Sequence, residues 1–147
     1  MYGYIIETNS NQSIRKFGDN LILSLYKDKI IAKYNLFGKK LFIETSKLLA
    51  KKNETDDSFL PAIMSNSEQN EIYGKIRQLI NRVKKADNFA IKVIRKGEHK
   101  YTSTELARNM AGAVFDKWPN IKVNLENPQL EVIIQIINNR SIIYARY

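Results

Sequence analysis

The sequence runs to 147 residues, with 24 Lys and Arg against 15 Asp and Glu, a formal net charge of +9. Hydrophobic residues make up 44% and charged residues 27%, which excludes wholesale disorder and fibrous classes and allows a packed core. The absence of cysteine excludes a disulfide framework, thiolate metal sites and a thiol nucleophile.

Residues 2–8 (YGYIIET) predict a short apolar strand. Over residues 13–27, Ile14, Phe17, Leu21 and Leu25 recur at helical spacing, a one-sided stripe that predicts an amphipathic helix. Residues 29–36 (KIIAKYNL) and 40–45 (KLFIET) predict two strands joined as a hairpin through Phe37, Gly38 and Lys39. The next stretch, 51–66, opens with KKNETDDS and contains Pro61, so it predicts a loop and a domain boundary near residue 65. The expected domains are 1–65 and 66–147.

In the second part, Ser65 or Ser67 is expected to cap a helix reaching about Lys85, with Ile72, Ile76, Leu79 and Val83 on its apolar face. Residues 89–95 (FAIKVIR) predict a strand, and 96–101 a polar connection. Thr102 and Glu105 stand at capping-box spacing and open a helix to about Lys117, which Trp118-Pro119-Asn120 ends because proline cannot continue the ladder. Leu106, Met110, Ala113, Val114 and Trp118 face one way along it. Strands follow at 121–125, 130–137 and 141–147, and the run VIIQII suits a strand buried on both faces. The expected fold class is α/β in both parts.

The chemistry that the sequence lacks narrows its role. His99 is the one histidine, and the six glycines stand singly, so neither a dinucleotide fingerprint nor a P-loop can be assembled. Asp56 and Asp57 are adjacent on the expected loop, which does not supply the facing acids of general acid–base catalysis. No Ser-His-Asp set can be drawn. The chain alone is therefore expected to be non-enzymatic, with no cofactor and no metal. No run approaches the ~20 apolar residues needed to span a bilayer, and the N-terminus is not a signal peptide, so a cytoplasmic protein without membrane association is expected.

The charge is unevenly placed. Residues 1–74 hold 10 cations against 9 acids, and residues 75–147 hold 14 against 6. Within 75–100 lie Lys75, Arg77, Arg82, Lys84, Lys85, Lys92, Arg95, Lys96 and Lys100, against only Asp87 and Glu98. Such a concentration fits either a solvated surface or one that faces a polyanion. The turn 95–100 leads straight into a helix N-terminus, whose unpaired N–H groups favour phosphate, while His99 and Tyr101 offer ring faces to an unpaired base.

From FAIKV through RKGEHKYTSTELAR to VNLENPQLEVIIQI, the sequence resembles the THUMP domain, a small α/β module of tRNA-modification systems. Val123, Asn124, Leu125, Asn127, Pro128, Glu131 and Val132 fall where that family has its V-D-L-x-N-P-x-x-x-V run, with Asn124 where the family usually has an acid. The preceding residues resemble, by element order alone, the ferredoxin-like domain that precedes THUMP in many such proteins. The resemblance implies binding of the tRNA acceptor stem and 3′ end, and delivery to a tRNA-modifying enzyme as partner. It implies that Arg95, Lys96 and Lys100 contact phosphates and that His99, Tyr101 and Thr102 lie near the 3′ end. Arg77, Arg82, Lys84 and Lys85 would extend the footprint along the acceptor stem.

Overall fold

In a computed structural model, which describes residues 1–52 and 57–147, the chain forms two compact units, Met1–Ala62 and Ile63–Tyr147. Of the adjacent acids noted above, Asp56 lies outside the described residues, whereas Asp57 is buried and accepts a hydrogen bond from the Thr8 hydroxyl.

The first unit is built from β1 (Tyr2–Glu7), α1 (Ile14–Lys27), β2 (Ala32–Phe37), β3 (Lys40–Thr45) and the start of β4 (Ser58–Asn66). Its strands lie in the order β2-β3-β1-β4, and every pairing in it is antiparallel. Strand alternation puts Tyr4 and Ile6, Leu41 and Ile43, and Phe59 on one face. There they pack on Leu25 of α1, with Ile14, Phe17 and Leu21 partly buried beside it, so the stripe read from the sequence is the buried face. Ser13 caps α1 by accepting from the Lys16 N–H at 3.2 Å. The β2–β3 hairpin turns at Gly38, whose φ of 58° is open to glycine without a Cβ penalty.

Three expectations fail in the passage to the second unit. The stretch 51–66 is not all loop, because residues from Ser58 onward form β4, which pairs with β1. Pro61 is held within that strand opposite Tyr4. Its apolar run FLPAIM, with Phe59, Leu60 and Ala62 buried, outweighs the proline as a signal. The next helix is also shorter than expected: α2 spans Gln69–Ile80, so Arg82, Lys84 and Lys85 follow it in the connection. Neither Ser65 nor Ser67 caps it. Glu68 occupies the N-cap and makes no side-chain capping bond.

The second unit continues with β5 (Asn88–Lys96), α3 (Ser103–Lys117), β6 (Lys122–Val123), β7 (Leu130–Ile137) and β8 (Arg140–Arg146). Its strands lie in the order β8-β7-β5-β6, with β5 parallel to both β6 and β7, and β7 antiparallel to β8. The expected strand over 121–125 shrinks to two residues, because beyond Val123 the Asn124 side chain accepts from the N–H groups of Glu126 and Asn127 and makes a turn instead.

Ile72, Ile76 and Leu79 from α2 meet Leu106, Met110, Ala113 and Val114 from α3 over Val132, Ile134 and Ile136 of β7. Ile133 between them is also buried, so β7 is covered on both faces. The two helices run parallel: Gln69 bonds Asn109, Tyr73 bonds Asp116, and Lys117 reaches the Ile80 carbonyl and Asn81. That last contact puts a cation on the C-terminus of α2, where the helix dipole favours it.

Candidate RNA-binding site

Parallel strands joined through a helix place strand carboxyl ends and helix N-termini together, and ligands of such sheets bind there. In the second unit this end carries the last residues of β5 and β7, the N-termini of α2 and α3, and the connections 97–102 and 138–139. Three of the sequence-derived candidates, Arg95, His99 and Tyr101, are tied together here by direct contacts.

Arg95 lies on the same side of β5 as the half-buried Ile91 and Val93, which pack against the core. Its Nε donates to the Ser103 hydroxyl at 3.4 Å, and its Nη1 to the Gly97 carbonyl at 3.3 Å and to His99 Nδ1 at 3.0 Å. The other His99 nitrogen, Nε2, is 2.6 Å from the Asn138 carbonyl. Lys96 is exposed and shares the opposite side of β5 with Lys92. Lys100 is exposed on the turn.

Tyr101 proves to be a core residue. Only 7% of it is accessible, it belongs to the cluster between α2, α3 and the sheet, and its hydroxyl donates to the Ser67 carbonyl at 2.6 Å. Its ring stacks on His99 with centroids 5.4 Å apart and planes 15° from parallel. A base-stacking role for the Tyr101 face is therefore closed off, and the half-buried His99 ring is the one left at the surface. Thr102 accepts from the Glu105 N–H at 3.1 Å, the N-cap half of the expected capping box.

Burial, ahead of the Glu68 carboxylate and against Arg95, raises the Tyr101 phenol above its ordinary value of 10.0. The folded state thus keeps this proton at pH values where the unfolded state has released it. The associated stability is complete below pH 10 and is lost as pH rises through the higher folded-state value. Tyr101→Phe is expected to cost about 1 kcal/mol at neutral pH, through the lost hydrogen bond. The gap between variant and wild type, measured by urea denaturation, should narrow as pH rises above about 10.

Nothing in the sequence marked Asn138 as a site residue. It adopts φ 54°, its N–H donates to the Lys96 carbonyl at 2.9 Å, and it packs so closely on Gly97 that a Cβ there would lie 2.6 Å from its Oδ1. Asn-Asn-Arg between two strands signals a turn. Only the parallel pairing of β5 with β7 brings that turn to Gly97. Beside it, a groove of about 520 Å³ is lined by residues 67–70 and 98–101, which gathers Lys100 and His99 with Glu68 and Glu98.

The remaining candidates lie elsewhere. Arg77 is exposed in the last turn of α2, and Arg82, Lys84 and Lys85 follow that helix, ahead of β5. Nine residues of strand separate the start of β5 from Lys96, roughly 26 Å at ~3.3 Å per residue. The cation run that is continuous in sequence therefore divides into two patches at opposite ends of the unit. No group of three metal-binding side chains occurs among the described residues, and no described helix is long and apolar enough to cross a membrane.

Residues 66–146 match the model of the THUMP domain. The chain belongs to the THUMP domain family. It is 34% identical over 91 residues to a probable tRNA sulfurtransferase of Saccharolobus solfataricus, a match covering 60% of this chain and 24% of that protein. The chain thus spans about a quarter of the length of the curated relatives it matches. Among solved structures, PH1313 from Pyrococcus horikoshii is similar at a TM-score of 0.68 and 17% identity, over 99% of this chain and 54% of its own. A 4-thiouridine synthetase in complex with RNA and bound ATP is similar at a TM-score of 0.69 and 12% identity, over 99% of this chain and 41% of its own. At these identities the two structures show the fold. Both the THUMP resemblance and the mixed α/β architecture read from the sequence hold.

Proposed function

We propose that this chain binds tRNA by the acceptor stem and 3′ end and presents it, as a non-catalytic adaptor, to a separate tRNA-modifying enzyme. The observation that carries the reading is the pre-set end of a THUMP unit, where Arg95, His99 and Lys100 lie beside two helix N-termini and Lys96 is exposed on the other face of β5. Cations and helix N-termini favour phosphate. Arg77, Arg82, Lys84 and Lys85 form a second contact roughly 26 Å along the unit, which suits a duplex stem read by backbone charge. In this reading catalysis belongs to the partner, and the chain acts in the cytoplasm.

A second reading is favoured by the length of the relatives: the same RNA-binding region serves within a larger tRNA-modifying enzyme, such as a thiouridine synthase or a methyltransferase. Both readings require tRNA binding driven by charge. In a titration of labelled tRNA, affinity should fall steeply between 50 and 200 mM salt, on the order of 10³-fold if six phosphates are contacted. Acidic liposomes should not compete. Displacement of tRNA by liposomes at equal anionic charge would instead mark a generic polyanion binder.

A further inference from the structure

Arginine can only donate hydrogen bonds, so the 3.0 Å contact between Arg95 Nη1 and His99 Nδ1 makes Nδ1 an acceptor. The ring proton is then on Nε2, which donates to the Asn138 carbonyl at 2.6 Å. Tyr101 fixes the plane of the ring by stacking on it, and Tyr101 is itself anchored to Ser67. The guanidinium is thereby held at three points, Nε on Ser103 and both Nη1 hydrogens on Gly97 and His99. Among the described residues, its Nη2 has no partner.

We propose that His99 is a positioning residue: as its Nε2–H tautomer it links the β7–β8 turn to Arg95 and leaves Nη2 of that guanidinium for an RNA phosphate. The inference rests on the reading of this end as the RNA site and adds to it a division of labour, in which His99 acts on RNA through Arg95. A guanidinium fixed in advance loses less side-chain freedom on binding than a mobile lysine.

Two side chains separate the halves of the imidazole. His99→Asn keeps an acceptor near the place of Nδ1, and His99→Gln keeps a donor near the place of Nε2. Binding of labelled tRNA is measured for both, for Arg95→Ala and for the Arg95→Ala/His99→Gln double variant, with thermal melts as the folding control. Arg95→Ala is expected to weaken binding about tenfold, as loss of a charge-assisted hydrogen bond does. His99→Asn should stay closer to wild type than His99→Gln, which should lose about threefold to tenfold, and His99→Gln should add nothing once Arg95 is gone. The reverse order, or a full His99→Gln loss in the Arg95→Ala background, overturns the positioning role while leaving the RNA site standing. Wild-type binding by Arg95→Ala removes the phosphate contact itself, and the inference with it.

A readout independent of RNA comes from nitrogen NMR. The chain has one histidine, so its imidazole signals need no assignment. In the neutral ring they should show a protonated Nε2 and a bare Nδ1, and a neutral ring that carries its proton on Nδ1 overturns the inference.

Discussion

Gly97→Val is expected to destabilise the second unit by about 1–3 kcal/mol through backbone strain alone, and to weaken tRNA binding at the same time. Gly97 has φ 102°, which a β-branched residue adopts only as an outlier. Its Cβ would also lie 2.6 Å from Asn138 Oδ1 and 3.1 Å from Asn138 Cα. The side-chain oxygen can swing away, but the backbone atom belongs to the turn that accepts the His99 hydrogen bond. Relief of the clash therefore moves the groups that fix Arg95. The second unit has the length of a small domain, for which 1 kcal/mol shifts the melting temperature by roughly 4–8 °C. Gly74→Ala is the contrasting substitution, since nothing lies within 4 Å of a Cβ at that helical site. It should stabilise by about 0.5–1 kcal/mol and leave binding unchanged. Thermal melts with a tRNA titration check both. Equal melting of the Gly97→Val protein and wild type would contradict the strain argument.

The largest effect on binding is expected from removing the cations at this end together. Arg95→Ala/Lys96→Ala/Lys100→Ala should weaken tRNA binding on the order of a hundredfold at low salt, less than three buried charge-assisted bonds would give, because two of the three side chains are exposed. The log–log dependence of affinity on salt should flatten by roughly 0.7–0.9 for each phosphate that is no longer neutralised, about 2–2.7 in all. The slope is the decisive quantity. A variant that was only partly folded would lose apparent affinity with its salt slope unchanged, whereas loss of ion release changes the slope itself.

Much of the fold is legible in the sequence because its core is periodic. The stripes Ile14-Phe17-Leu21-Leu25, Ile72-Ile76-Leu79 and Leu106-Met110-Ala113-Val114 are the buried faces of the three helices. The run at 130–137 is the doubly covered strand β7. At two of the places where sequence and structure differ, tertiary pairing outweighs local punctuation. Pro61 reads as a breaker, yet β1 pairs with the strand that contains it. Ser65 and Ser67 read as caps, yet the Ser67 N–H and carbonyl are engaged with Asn139 and Tyr101 instead.

The candidate site is legible in part. Residue type and the approach to the α3 N-terminus single out Arg95, His99 and Lys100 as candidates, but do not show that Arg95 spends three of its donor directions inside the fold. Nor can a count of charge show that Lys84 and Lys85 lie a strand's length away from Lys96. Tyr101 is ambiguous in the sequence, since an aromatic residue before a cap serves equally as a stacking platform or as core. Its burial in the helix–sheet cluster resolves it as core. Asn138 carries no signal as a site residue, because its part depends on the pairing of Lys96 with Ile137, 41 residues downstream.

The most direct measurement compares acceptor-stem minihelices with and without the single-stranded 3′ tail, titrated against the wild-type chain and the Arg95→Ala/Lys96→Ala/Lys100→Ala variant. If the Arg95–Lys100 end holds the tRNA 3′ end, the tailed minihelix binds the wild type more tightly, and the variant loses most of that preference. Equal affinity of the wild-type chain for tailed and untailed RNA would contradict it.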